Sequence, residues 1–268
     1  MPDPNNKEDE LAGTEQPFVQ HLMELRDRLI KAVLAVGVVA AVLAVYPGPG
    51  ALYDLLAAPL VAALPAGATL IATSVISPFL VPLKILLMAA FMIALPVVLY
   101  QVWAFVAPGL YSHEKKLVMP LVVSSTLLFL IGVAFCYYFV FGQVFKFIQS
   151  FAPKSITAAP DIEAYLGFAI SMFLAFGLAF EVPIAVVVLA RVGIVTVDKL
   201  KSFRGYFIVV AFVVAAIVTP PDVVSQLALA IPMCILYEVG IWAAQLFIKH
   251  TQAPPEEANA EAGGSNQP

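Results

Sequence analysis

Two long apolar runs, Ile85 to Ala107 and Leu117 to Phe141, flank the short polar stretch Ala107-Pro108-Gly109-Leu110-Tyr111-Ser112-His113-Glu114-Lys115-Lys116. Each run can cross a bilayer as a helix, which takes about 20 residues at about 1.5 Å apiece. The stretch between them must therefore lie at a membrane surface. Pro108 lacks a backbone donor and Gly109 tolerates turn geometry, so the incoming helix stops and Glu114 is presented at the interface, outside the hydrocarbon. A fixed carboxylate there invites a cationic partner.

The whole chain has the same character. It is 62% hydrophobic and only 12% charged over 268 residues, and its apolar residues come in runs rather than amphipathic stripes, which predicts an all-α polytopic membrane protein. The alternation of an outer-membrane barrel strand is absent. Acidic residues gather near the ends, with Asp3, Glu8, Asp9 and Glu10 before the first run and Glu256, Glu257 and Glu261 after the last. Residues 1–15 and 249–268 therefore read as solvated, disordered tails around a membrane domain at 16–248. The first apolar run starts only after Arg26, Arg28 and Lys31, so it is expected to be retained as an anchor and not cleaved. Cys136 and Cys234 lie inside apolar runs, and His21, His113 and His250 lack ligand spacing, so neither a disulfide nor a metal site is expected.

Six spans are expected, at about 29–46, 77–107, 117–141, 166–190, 205–218 and 223–248. Before the first, Phe18, His21, Leu22, Leu25 and Leu29 recur at helical spacing and predict a short amphipathic helix at the interface. Residues 51–76, divided by Pro59 and Pro65, read as short helices on the outer face, and Gly142 to Tyr165 as a polar connection. The second span carries Pro96 and is expected to tilt or kink. The fifth, fourteen residues long, rises only about 21 Å against a hydrocarbon core of about 30 Å. Placing both termini on one side puts eleven of the fourteen Lys and Arg there, the others being Lys84, Lys146 and Lys154. By the positive-inside rule that side is cytoplasmic and includes Glu114.

No nucleotide loop, metal cluster or nucleophile-base pattern appears, so an enzyme is not expected. A few acids stand in unusual places. Glu24, in His21-Leu22-Met23-Glu24-Leu25-Arg26, should lie level with Glu114, and the pair could bind two guanidinium groups. The local alternative pairs Glu24 with Arg28 one turn on, and Glu114 with Lys115 or Lys116. Glu181 has no cation on its own helix and should face protein or a wet cavity. Glu238 reaches a similar depth, and the two could share a polar cavity with hydroxyls such as Ser171 or Tyr237. Asp222, following two prolines, is suited to cap the sixth span. Tyr100, Trp103, Phe105 and Tyr111 resemble an interfacial aromatic belt, with Phe105 also able to line the groove beside Glu114. A proton-coupled transporter relaying through Glu181 and Glu238 would want matching proline or glycine breaks in two halves, and none are seen.

Several motifs occur in order from Phe18 to Ile248: Phe18-(x2)-His21-Leu22-Met23-Glu24-Leu25-Arg26-Asp27-Arg28; Ala58-Pro59-Leu60; Tyr100 to Leu110 followed by Glu114; Phe180-Glu181-Val182-Pro183; and Thr219-Pro220-Pro221-Asp222-Val223-Val224-Ser225-Gln226. Together they closely resemble the TatC family of the twin-arginine translocase. The resemblance implies a six-span, glove-like concave bundle in the bacterial inner membrane, with both termini cytoplasmic. It implies a receptor for twin-arginine signal peptides of folded cargo proteins, with Glu24 and Glu114 engaging the arginines and Arg26, Phe105 and Pro59 as sensitive neighbours. Glu181 would be the family's buried acid and Asp222 the acid of its outer turn. TatB and TatA would be the partners, in a complex holding several copies, driven by the proton gradient and without a cofactor or nucleic acid.

Overall fold

The computed structural model describes residues 6–63, 70–106, 118–150, 160–219 and 222–249. Its elements are α1 (Asn6–Val45), α2 (Pro49–Ala63), α3 (Ser77–Val106), α4 (Val118–Phe135), a π-helical turn (Cys136–Val140), α5 (Phe141–Ser150), α6 (Ile162–Phe180), α7 (Val182–Arg191), α8 (Val197–Ser202), α9 (Arg204–Val218) and α10 (Val223–Lys249). The described residues contain no β-strand, only an isolated bridge between Ile71 and Asp161.

Among the described residues, five helical stretches are long and apolar enough to cross a membrane: His21–Val45, Ser77–Val106, Val118–Phe147, Ile162–Arg191 and Val223–Leu246. The sequence predicts six, and the odd one out is α9, whose 15 residues rise about 22 Å. Two other boundaries differ from expectation. The amphipathic segment around Glu24 is continuous with the first span in one 40-residue helix, α1, because no breaker separates them. Helix also continues past Phe141 to Ser150, since the π-helical turn absorbs an extra residue without ending the helix. Pro82 and Pro96 lie inside an unbroken α3.

Val33, Leu34, Val38 and Val42 of α1 are exposed, as a lipid-facing stripe must be. The opposite stripe packs antiparallel on α3, with Ala40 and Leu43 clustered with Leu86 and Ala90 near one end and His21 meeting Phe105 at the other. The central core joins α4, α5 and α6 through rings, with Phe141 centroids 5.6 Å from Phe168 and 5.1 Å from Phe173. Small residues set how closely these helices approach. A Cβ on Gly132 would fall 2.5 Å from the Phe176 carbonyl oxygen, and one on Gly240 would fall 2.9 Å from Pro183 Cα.

Helix α2 is tied to this bundle by two tyrosines. A helical carbonyl normally accepts from the amide four residues on, and Pro59 has no amide to offer Leu55. The Tyr137 hydroxyl supplies that bond, donating to the Leu55 carbonyl at 2.6 Å, while Tyr165 donates to the Leu56 carbonyl at 2.8 Å. Tyr137→Phe should thus lower stability by about 0.5–1.5 kcal/mol, the net worth of one hydrogen bond. In a Pro59→Ala background, where the restored backbone amide can donate to Leu55, the same change should cost measurably less. Equal losses in both backgrounds, read by thermal unfolding, would disprove the link.

Asp161 closes the same end. Its Oδ1 accepts from the Glu163 and Ala164 amides, both at 2.9 Å, capping α6, and its Oδ2 accepts from the Thr73 amide (3.0 Å) and hydroxyl (2.6 Å). Beside it, Ser77 and Lys84 donate to the two oxygens of Glu163 at 2.7 and 3.0 Å. The Thr73 hydroxyl, then the amides of Ala164, Thr73 and Glu163, hold the Asp161 carboxyl down to about 2. A carboxyl with a folded value below the ordinary value of about 3.9 contributes stability that is present above about pH 4 and lost as pH falls toward 2. The thermal midpoint should drop across that interval. Asp161→Asn should flatten this part of the profile, and an unchanged profile in that variant would assign the acid sensitivity elsewhere.

Candidate functional site

Positions 21, 24 and 28 fall on one face of α1. Glu24 and Arg28 are half-buried there, whereas His21, Leu22, Met23, Leu25, Arg26 and Asp27 are exposed. Arg28 reaches back one turn and donates Nε (2.9 Å) and a terminal nitrogen (2.5 Å) to Glu24 Oε1. Both donors converge on one oxygen, so the pair lacks the two-oxygen fork that makes guanidinium–carboxylate recognition strong. Arg26 points to solvent and donates to Asp27 Oδ1 at 3.0 and 2.9 Å. With 69% and 55% of these side chains exposed, that contact is worth little.

The His21 ring lies flat on Phe105, with centroids 4.3 Å apart and planes 16° from parallel. The structure thus joins the Glu24 face of α1 to Phe105 at the end of α3, through a histidine that sequence reasoning left as a spacing residue. Its signal was available, since His21 precedes Glu24 by one turn on the same face. Glu114 lies outside the described residues. Pro59, in the second half of α2, and Asp222, in the α9–α10 connection, are at the opposite end of the bundle. There Asp222 Oδ1 caps α10 by accepting from the Ser225 amide at 2.7 Å.

Between the two ends, the fourth long stretch breaks at Glu181. This residue closes α6 with φ −76° and ψ −13° and opens α7, whose second residue is Pro183. The proline has no amide for the Ala179 carbonyl, so the helix re-forms only after a turn. The Glu181 Oε1 is buried without a hydrogen-bond partner among the described residues, and Ser125 of the neighbouring α4 is fully buried. Trp103 Nε1 of α3 donates to Ser125 Oγ at 2.9 Å. In the sequence Trp103 reads only as an interfacial aromatic and Ser125 does not stand out, because their role lies in bonds between helices.

Glu238 is placed differently from Glu181. Arg204 donates to its Oε2 at 2.7 Å, the adjacent Tyr237 hydroxyl donates to the Leu200 carbonyl at 2.9 Å, and Ser171 is exposed. Glu238 thus has an ion-pair partner of its own in Arg204, whereas Glu181 Oε1 has no hydrogen-bond partner among the described residues. No group of three His, Cys, Asp or Glu side chains among the described residues could hold a metal.

Residues 20–232 match the family model described as Sec-independent protein translocase protein (TatC). The chain belongs to the TatC family. It is 51% identical over 248 residues to Sec-independent protein translocase protein TatC of Halothiobacillus neapolitanus, covering 92% of this chain and 67% of that protein. Against the TatC of Escherichia coli strain K12 it is 47% identical over 233 residues, covering 87% and 90%. Among solved structures, a crystal structure of the twin arginine translocase receptor TatC superposes with a TM-score of 0.72 at 41% identity, covering 84% of this chain and 98% of that one. A second crystal structure of that receptor, in DDM, gives a TM-score of 0.72 at 39% identity, covering 84% and 99%. This TatC-family chain is a multi-pass membrane component of a Sec-independent protein translocase, a transport protein rather than an enzyme.

Proposed function

We propose that this chain is the receptor subunit that takes up the paired arginines of signal peptides on folded cargo, at the end of the bundle that carries Glu24. The observation that carries this reading is the half-buried Glu24 carboxylate, held beside the His21–Phe105 stack by a local Arg28 pair. An incoming guanidinium can displace such a pair, because both Arg28 donors use a single oxygen, and can also lie on an aromatic face as a lysine ammonium cannot. Glu114 supplies the second carboxylate and Arg26 helps orient the peptide. The helix ends rich in Arg and Lys face the cytoplasm by the positive-inside rule, so the site opens on the side where cargo folds. Both termini share that side, and the membrane is the bacterial inner membrane. On this reading α9 crosses despite its length, completing six spans around a glove-like concave face. TatB and TatA dock beside several copies of this chain, and the proton gradient drives transport.

The reading is tested by binding a labelled twin-arginine peptide, and a twin-lysine version, to the purified full-length protein. Glu24→Gln and Glu114→Gln should each weaken the arginine peptide by about 1.5–3 kcal/mol, the worth of a charged hydrogen bond. Each loss corresponds to roughly 10- to 150-fold in affinity. Twin-lysine should bind no better than the variants do. Indistinguishable affinities across all peptides and proteins would leave the two acids with structural roles only.

A further inference from the structure

We propose that Arg28 and His21 are specificity-determining residues that occupy the peptide site in cis, Arg28 on the Glu24 carboxylate and His21 on the Phe105 ring, so that only a ligand offering more than both can enter. The inference rests on the receptor reading above, in which Glu24 and Phe105 meet a peptide arginine.

Both recognition groups are already covered by side chains that α1 itself carries. Arg28 is a guanidinium, and its Nε and one terminal nitrogen lie 2.9 and 2.5 Å from Glu24 Oε1. The His21 imidazole is a flat polar ring with its centroid 4.3 Å from that of Phe105 and its plane 16° from parallel, the arrangement that a guanidinium plane takes over an aromatic face. His21 is exposed and Phe105 half-buried, so the imidazole is the outer member of the stack. Positions 21, 24 and 28 lie on successive turns of one face, which puts a cover on either side of Glu24. The Arg28 pair forms within a single helix at i,i+4 spacing and needs no further ordering of the chain, so it is present whenever α1 is helical.

Each cover is also weak enough to leave. The side chains of Arg28 and Glu24 keep 22% and 38% of their surface exposed, and the pair engages one carboxylate oxygen only. An arginine from outside can take both oxygens in a fork and lie on the ring beside them. A lysine ammonium makes a point contact and does not displace a guanidinium that already holds two bonds. A bare carboxylate and a bare ring at a membrane surface would accept any cation or apolar segment that reached them. Covering both raises the threshold for every ligand, and discrimination then comes from competition against the wrong ones as well as from contacts to the right one.

The test measures the affinity of purified full-length protein for labelled twin-arginine and twin-lysine peptides, after unfolding midpoints show that each variant is folded. Arg28→Gln should tighten the arginine peptide about two- to fivefold, the worth of one solvent-accessible pair. It should tighten the lysine peptide at least about tenfold, because the ammonium then finds a free carboxylate. Discrimination between the peptides falls accordingly. Arg28→Lys, the milder change, should lie between wild type and Arg28→Gln. His21→Ala should tighten the arginine peptide about two- to tenfold, the worth of one ring stack, whereas His21→Phe, which keeps the face covered, should not. Each gain should vanish where the covered group is gone, so Arg28→Gln adds nothing to Glu24→Gln, and His21→Ala adds nothing to Phe105→Ala. Gains that persist in those backgrounds would overturn the inference, by tracing the effect to relieved charge repulsion or altered packing. Unchanged or weaker binding in Arg28→Gln and His21→Ala, with Glu24→Gln still impairing recognition, would also overturn it and leave the receptor reading standing. If wild-type protein binds neither peptide, or Glu24→Gln binds as wild type does, the receptor reading fails and this inference with it.

Discussion

Gly132→Ala is expected to destabilise the protein by about 1–3 kcal/mol or more, the usual cost of overpacking a close-packed core. The added methyl would stand 2.5 Å from the Phe176 carbonyl oxygen and 2.9 Å from Phe180 Cγ. The ring can turn away, but the carbonyl belongs to the backbone of α6 and can move only if the helix does. Gly177→Ala, on the facing helix, is a useful contrast. Its methyl would run into the Phe129 ring, a side chain that can be shortened. The expected result is therefore asymmetric: Phe129→Leu should relieve much of the defect of Gly177→Ala, and Phe180→Leu should relieve little of that of Gly132→Ala. Unfolding midpoints of the four variants decide it. Equal rescue in both pairs would show that the α4–α6 separation is not set by the backbone contact.

Arg204→Leu should be damaging out of proportion to the exposure of the pair it breaks. Arg204 and Glu238 are each about half-exposed in the protein alone, at 49% and 50%, and in water such a pair would be worth under about 1 kcal/mol. Glu238, however, belongs to a stretch apolar enough to cross a membrane, Val223–Leu246. A lone acid within a transmembrane helix costs up to about 2.5–3.5 kcal/mol at mid-depth and less toward an end. The single substitution should lower stability in lipid by an amount near that range. Adding Glu238→Gln should recover most of it, since the double variant leaves no unpaired charge. Additive losses in the double variant would show that the two residues act independently.

Much of the architecture is legible in residue order because the bilayer is an undemanding template. A helix that must satisfy its own backbone bonds in hydrocarbon needs only length and apolar content, and both can be read from a linear string. The stretches around 77–107 and 223–248 appear as α3 and α10 for that reason. The breaker-rich Pro47-Gly48-Pro49-Gly50 likewise marks the end of α1. Continuity was harder to read. Pro96 left α3 intact, whereas Glu181, with Pro183 two residues on, ended α6. The outcome depends on what the neighbouring helices offer the freed carbonyl, and a single helix does not encode that.

The candidate site divides in the same way. Glu24, Phe105 and Arg28 can be named from motif and helical spacing, and so can the local Glu24–Arg28 pair, since spacing along one helix is one-dimensional. Sequence alone therefore determined an all-helical membrane protein, the family to which it belongs and the acids proposed to carry its chemistry. Tertiary structure decided the rest: that His21 stacks on Phe105, that Tyr137 answers for the amide missing at Pro59, that Trp103 of α3 donates to Ser125 of α4, and that Glu238 is neutralised by Arg204. Each of these is a hydrogen bond, ion pair or ring contact between residues far apart in the chain. Such contacts have a length and a direction that arise only when helices pack at a particular distance and rotation, and those are set by the fit of Gly132 and Gly240 against their neighbours.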